Sequence, residues 1–575
     1  MKKLLTLLCI IFLTSAVFAQ EEQKDISQDY ILKSMQSELE RSIKKLSKAD
    51  PEIYFLSYLI ESNKSASVVS SLGKNAYIFT SQSFSADVDA RAGGRKMDNT
   101  RKLKAIDYGS GSTNTLINGY IPSDKQIKNM LWILTEDAAT SAQEDFMKVK
   151  TNSLTSAQRV DNSDDFSAKL KEQSYYSPIE DTTLLSSYIL NQMAERLDSF
   201  TALFNREDFI ITSSAAYSVN LKNKYFVNSE GTRTVQGQIL GRISYNINTR
   251  NKDGMLMERS NSYDFTTADE IPSNEKIIKD IKKSIEELKA LQNAQPAEPF
   301  HGPVILKNRA TGVFFHEILG HRVEGHRQKD DDFGQTFTNK INQQVIAPLI
   351  SVYDNPTMRY FNNIPLRGYY AYDDEGVKSQ NVALIEKGIL KGFLMSRSPI
   401  KDFLQSNGHG RKQAGYRPVS RMGITVVEAD HTVTYETLYK MLKEEIQNQG
   451  KPYGLIIDDI SGGFTMLDTS NPQSFKVKPL LVYKVYPDNR PDEIIRGADI
   501  VGTPLTSFNK IIAAADDYAV FNGSCGAESG WVPVSAIAPS VLISELEVEK
   551  VQKSYDNLPI LPPPPSENLK KGDNK

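Results

Sequence analysis

Apolar residues at Ile31, Met35, Leu39, Ile43 and Leu46 recur every three or four positions within a polar stretch over residues 20–49. That spacing predicts a helix with one buried face. Strand-like pieces follow at 76–79 and 85–89, and residues 122–205 read as mostly helical, with a polar interval over 151–165. Long alternating runs then occupy 224–227 and 235–248. Turn residues Asn228-Ser229-Glu230-Gly231 and Lys252-Asp253-Gly254 punctuate them, predicting a meander of hairpins. Ile277, Ile278, Ile281, Ile285, Leu288 and Leu291 outline one face of a further helix. It runs into Ala294-Gln295-Pro296-Ala297-Glu298-Pro299, which we read as a linker and a domain boundary. The second half is richer in strands, at 424–428, 454–460 and 480–486, and after Lys550 the chain ends in Pro562–Pro565 and charged residues. The pattern divides the chain into a leader over 1–19, an α/β domain over 20–295, a β-rich domain over 296–550 and an extended tail over 551–575.

The leader has its own logic. Lys2 and Lys3 precede an apolar run from Leu4 to Leu13, and the stretch closes at Val17-Phe18-Ala19 before Gln20 and acidic residues. A cationic start, a short apolar core and a small final residue predict a secretory signal cleaved after Ala19. Cys9 sits inside that core behind Thr6-Leu7-Leu8, not at its end behind small residues, so no lipid anchor is expected. No later stretch is long and apolar enough to cross a bilayer, and the mature protein is expected to be soluble and exported, periplasmic or extracellular.

Composition narrows the classes without choosing a function. The chain has 575 residues, 39% of them apolar, with Lys+Arg 68 against Asp+Glu 71. These values exclude a disordered, collagenous or many-span membrane chain, and the length suits two to four domains. A net charge of −3 gives no electrostatic ground for binding nucleic acid or acidic membranes. Without the leader, Cys525 is the only thiol. No internal disulfide is then possible, so this cysteine is buried and inert, paired with another chain, or held by a metal.

All six histidines lie between 301 and 431, and the informative segment is His316-Glu317-Ile318-Leu319-Gly320-His321. The zincin motif separates its histidines by four positions, which stacks them on one helix face. Here the offset is five, which would rotate His321 roughly 140° from His316 around an ideal helix. One ion can be shared only if the helix widens by a residue or breaks, so a distorted turn is predicted over Ile318–Gly320. Two neutral imidazoles leave Zn²⁺ enough charge to make water attack near neutral pH, and Glu317 is placed to take the proton and pass it to a leaving amine. A structural zinc would require four protein ligands, and a zinc-finger set cannot be drawn from one cysteine. The competing interpretation of the pair is a surface feature or a satisfied core group.

These residues sit in a wider set: Gly302-Pro303-Val304, Gly320-His321-Arg322-Val323-Glu324-Gly325, Asp373-Asp374-Glu375-Gly376, Asn407-Gly408-His409-Gly410-Arg411, Pro418-Val419-Ser420-Arg421-Met422, Ser461-Gly462-Gly463 and Gly523-Ser524-Cys525-Gly526. Together they resemble the TldD/PmbA family of metallopeptidases, in its metal-bearing TldD-like branch. Over 300–545 the resemblance is dense; in the N-terminal half it rests on Arg91-Ala92-Gly93-Gly94, Asp98-Asn99-Thr100 and Val227–Gly231. It implies that His316, His321 and Cys525 bind Zn²⁺ and that Glu317 is the catalytic acid/base. The implied fold is α+β, an N-terminal mixed α/β domain followed by a β-rich, barrel-like domain that carries the metal. It further implies a peptide or unfolded-protein substrate and a homodimer or a heterodimer with a family paralogue. Glu324 is a candidate to orient a ligand ring or to form a surface salt bridge. His409 and Arg411 are candidates to bind substrate or an oxyanion, against a basic loop without a catalytic part. Gly462 and Gly463 would let a substrate strand approach, against an ordinary turn. His326 departs from the acidic residue expected there, and His301 and His431 carry no assigned role. The leading expectation is an exported zinc peptidase; an amidase acting on cell-envelope material and a non-catalytic peptide-binding subunit are the alternatives.

Overall fold

The computed structural model describes residues 28–71, 73–101, 113–153, 161–329, 335–466, 474–488, 490–501 and 507–551. The expected leader lies outside the described residues, as does the tail from 552 onward. No helix among the described residues is long and apolar enough to cross a membrane.

The N-terminal half is built on four long antiparallel strands, Ile53–Ser71, Lys74–Gly94, Thr212–Asn228 and Arg233–Arg250. Shorter strands at Thr113–Asn118 and Leu256–Phe265 extend this sheet. Alternation fixes its two faces. Ala215, Tyr217, Val219, Ile243, Tyr245 and Ile247 point to one side and are buried under helices. Four helices cover that side: α1 (Tyr30–Leu46), α2 (Asp124–Ser153), α3 (Ser187–Phe204) and α4 (Asn274–Asn293). In α1 the predicted Ile31, Met35 and Leu39 are buried, and Asp29 caps the first turn by accepting from the Leu32 N–H at 3.0 Å. The other side of the sheet is polar and faces the second half of the molecule.

Two segments differ from the sequence pattern. The helical interval at 122–205 contains a strand, Ser174–Ser177, which adds in parallel to Arg233–Arg250. The expected linker is partly ordered, because Gln295–Pro296 pairs in parallel with Glu493–Arg496. Proline fits there because the segment lies at the sheet edge, where a missing N–H breaks no ladder.

The second half contains a closed barrel. Gly454–Met466, Phe300–Leu306, Val541–Lys550, Ala498–Ile500 and Ser474–Val485 pair in that order, and the last pairs back to the first. A second sheet runs Ile389–Leu390, Val382–Glu386, Ile350–Asp354, Ile424–Ala429, Gly530–Ala538 and Ala519–Ala527. Helix α5 (Asn308–Ile318) leaves the barrel strand Phe300–Leu306 and lies between the two sheets. A side chain at Gly312 would place Cβ 3.2 Å from the Ala536 Cβ, so glycine lets the helix settle onto the second sheet.

The halves meet through buried charges. Lys224 donates to Asp374 at 2.6 Å, Lys412 to Asp87 at 2.9 Å, and Arg397 to Glu230 at 2.8 Å. Such pairs orient a junction more than they stabilise it, since each charge has been taken out of water. Glu375 lies in the same layer, with Arg397 N–H donating to its Oε2 at 2.6 Å, and burial raises its pKa to about 7. A carboxyl raised in the folded state binds more protons there than when unfolded between about pH 4.5 and 7. Its contribution to stability therefore falls as pH rises through that window. Glu375→Gln should remove this component, so the variant gains stability relative to the parent as urea unfolding is repeated from pH 5 to pH 8. A constant difference across that range would contradict the assignment.

Candidate metal centre

Helix α5 is buried from Ala310 to Ile318. Phe314 and Phe315 anchor it, their rings meeting Phe508 at centroid distances of 5.4 and 4.8 Å. Regular helix stops at Ile318, Leu319 adopts φ −97° and ψ −50°, and Gly320–Val323 continue as a 3₁₀ turn. The break brings His321 back toward His316, which five residues of regular helix would not do. Gly320 serves it through space and not through an unusual φ: a Cβ there would lie 2.0 Å from the Met422 Sδ. Arg322 then donates to the Ile318 carbonyl at 2.6 Å, satisfying a group that the broken helix leaves open.

The rings of His316 and His321 stand 5.2 Å apart at 81°. Cys525 arrives on the edge strand Ala519–Ala527, and one ligand atom from each of the three residues lies within 4.8 Å of the others. Its Sγ is 3.4 Å from His321 Nε2. Nitrogen and sulfur on a tetrahedral zinc stand roughly 3.5 Å apart, given bond lengths of about 2.0 and 2.3 Å. Burial pushes the Cys525 thiol up, yet His321 and His316 bring it well below its usual value. Burial lowers both imidazoles, yet Cys525 keeps each of them raised. The trio thus favours a thiolate facing positive charge, and two imidazoles with one thiolate fit Zn²⁺ while leaving a coordination position for chemistry.

One buried carboxylate engages a candidate ligand directly and reaches a second through an arginine. Glu324 Oε2 lies 3.2 Å from His321 Nδ1, an arrangement that leaves Nε2 as the metal-facing lone pair. Although burial raises the Glu324 carboxyl, His321 and Arg327 hold it down to about 2. Arg421 Nε stands 3.6 Å from the other Glu324 oxygen, and its Nη2 donates to the Cys525 carbonyl at 2.7 Å. Nη1 of Arg421 donates to Ser529 Oγ at 2.8 Å and to the Gly530 carbonyl at 3.0 Å. Sequence reasoning assigned Arg421 no role, although it stands in a quoted motif. Its signal is a fully buried guanidinium, which only the fold reveals.

The trio opens on a cleft of about 1040 Å³. Glu317 lines it beside His316, and Ser461, Gly462, Gly463 and Phe464 form part of one wall. Gly462 and Gly463 belong to the strand Gly454–Met466, not to a turn, and pair with Lys478 and Val477. The polar face of the N-terminal sheet contributes Ser214, Ser244 and Ser262 to the lining. His409 and Arg411, considered for substrate binding, are not among the residues that line this cleft. His409 is fully buried between Asp354 Oδ1 at 3.2 Å and Asn407 Oδ1 at 3.0 Å. Arg411 is spent on the carbonyls of Met422 and Pro533. His326 pairs with Glu528 and is not one of the clustered ligands; His301 and His431 are exposed and also lie outside the cluster.

Residues 300–550 match the PmbA/TldA metallopeptidase C-terminal domain. A metalloprotease of Methanothermobacter thermautotrophicus is 24% identical over 338 residues, 58% of this chain and 69% of its own length. A zinc metalloprotease TldD homologue of Saccharolobus solfataricus is 28% identical over 249 residues, 43% of this chain and 51% of its own. Among solved structures, TldE from Thermococcus kodakarensis superposes with a TM-score of 0.59 over 90% of this chain and 100% of that one. At 13% identity this last likeness is one of fold.

Two substitutions separate the ligand from its support. Cys525→Ser should abolish tight zinc retention, whereas Glu324→Gln should weaken zinc affinity by about 10- to 100-fold with the fold intact. Competition with a chromogenic chelator measures both. Unchanged affinity in Cys525→Ser would remove the thiolate from the ligand set.

Proposed function

Since the chain belongs to the TldD/PmbA family, whose homologues are named metalloproteases, we propose that it is an exported, zinc-dependent peptidase acting on peptides or unfolded polypeptides. The observation that carries this reading is the convergence of His316, His321 and Cys525 beside Glu317 at the floor of an open cleft. When bound, Zn²⁺ supplies Lewis acidity toward a carbonyl and toward water. His321 presents Nε2 because Glu324 engages its other nitrogen. Glu317 takes the proton of the attacking water and delivers it to the departing amine.

Substrate selection follows from the walls. Among the described residues, the strand Gly454–Met466 pairs beyond Ile457 only with Ser474–Val485, and Ala519–Ala527 pairs only with Gly530–Ala538. Two strand edges therefore flank the candidate ligands, and an extended peptide can add to such an edge through its backbone. The absence of side chains at Gly462 and Gly463 permits close approach, and a Cβ at Gly462 would meet nothing within 4 Å. A folded protein offers no free strand to pair, so unfolded chains are the expected substrates. Export is inferred from the leader pattern, and pairing with a second copy or a family paralogue completes the proposal.

Zinc analysis of the purified protein, with peptide hydrolysis before and after chelation and after zinc is restored, tests the reading. Hydrolysis should disappear on chelation and return with zinc. Glu317→Gln should keep its zinc while kcat falls by about 10²- to 10⁴-fold. Chelator-resistant hydrolysis, or full activity in Glu317→Gln, would contradict it.

A further inference from the structure

Arg309, Val313, His316 and Glu317 follow the i, i+4, i+7, i+8 spacing of one helix stripe, and all four line the cleft. The other cleft cations are neutralised from within: Arg242 pairs with Asp264 at 2.8 Å, and Arg327 with Glu324 and Glu528 at 2.8 Å each. The cleft carboxylates of Asp459 and Glu528 are likewise engaged, by Arg259 and by Arg327. Arg309 is different. It lines the cleft and, among the described residues, makes no ion pair. Its charge therefore has no carboxylate of the protein to answer it, and a guanidinium fork is built to take a planar acceptor of that kind.

We propose that Arg309 is a substrate-reading residue that binds a carboxylate of the peptide, either its C-terminal group or an acidic side chain. This deepens the peptidase reading and rests on it for the identity of the ligand. Seven residues separate Arg309 from His316, about 10 Å along the helix axis. An extended peptide covers that distance in about three residues, at roughly 3.3 Å each. Cleavage is therefore expected about three positions from the carboxylate that Arg309 holds.

The test uses the zinc-loaded chain and fluorescent peptides of one sequence, presented as free acid or C-terminal amide. A second amidated pair carries Glu or Gln at internal positions. Binding is read by fluorescence anisotropy, which needs no turnover, and cleavage sites by mass spectrometry. The carboxylate-bearing member should bind about 10- to 100-fold more tightly, by either the terminal or the internal route. Arg309→Gln should erase that difference, and Arg309→Lys, which keeps the charge, should retain part of it. Equal affinities for acid and amide and for Glu and Gln would overturn the proposal, as would a preference surviving in Arg309→Gln. Carboxylate-dependent binding without hydrolysis of any peptide would instead overturn the peptidase reading and leave this one standing.

Discussion

Two imidazoles five positions apart on one segment must face a single point, and a thiol 204 positions after the second must meet them there. A continuous α-helix forbids the first condition. The chain meets it by ending α5 at Ile318 and tightening into a 3₁₀ turn, and the contact between Gly320 and Met422 fixes where that happens. The second condition depends on the closed barrel and the adjoining sheet holding α5 between them, so that the edge strand bearing Cys525 passes beside the broken helix. Glu324 and Arg421 then join the two parts, one facing the His321 ring and the other gripping the Cys525 backbone.

This arrangement concentrates charge where it is hardest to keep. Glu324 and Arg421 are fully buried, and the layer between the halves contains Arg397, Glu230, Lys412 and Asp87. Replacing such pairs with apolar residues often leaves a protein no less stable, so their use here is best understood as geometric. They position the polar face of the N-terminal sheet over the second half and leave a cleft between them. Most of the charges in that cleft are balanced internally, which makes the unmatched Arg309 informative.

Much of this was legible in the sequence. The spacing in α1 and α4 and the alternation of the hairpin strands are local periodicities, and they survive into the fold because one face is buried. The five-residue offset required a break before His321, and the break is there. Ser174–Ser177 and Gln295–Pro296 escaped because both are short edge segments whose pairing is decided by distant strands. His409 and Arg411 resembled site residues in a glycine-rich motif, but two of the acceptors that occupy them, Asp354 and Pro533, lie 55 and 122 positions away in the chain. The role of Arg421 was hidden for the same reason, since the burial and partners of a guanidinium are tertiary facts.

X-ray absorption at the zinc edge of the purified, metal-loaded protein tests the central claim most directly. A mixed shell is predicted, with one sulfur near about 2.3 Å and nitrogen or oxygen neighbours near about 2.0 Å, including the signature of imidazole. A shell without sulfur, or one dominated by several sulfurs, would contradict joint ligation by His316, His321 and Cys525.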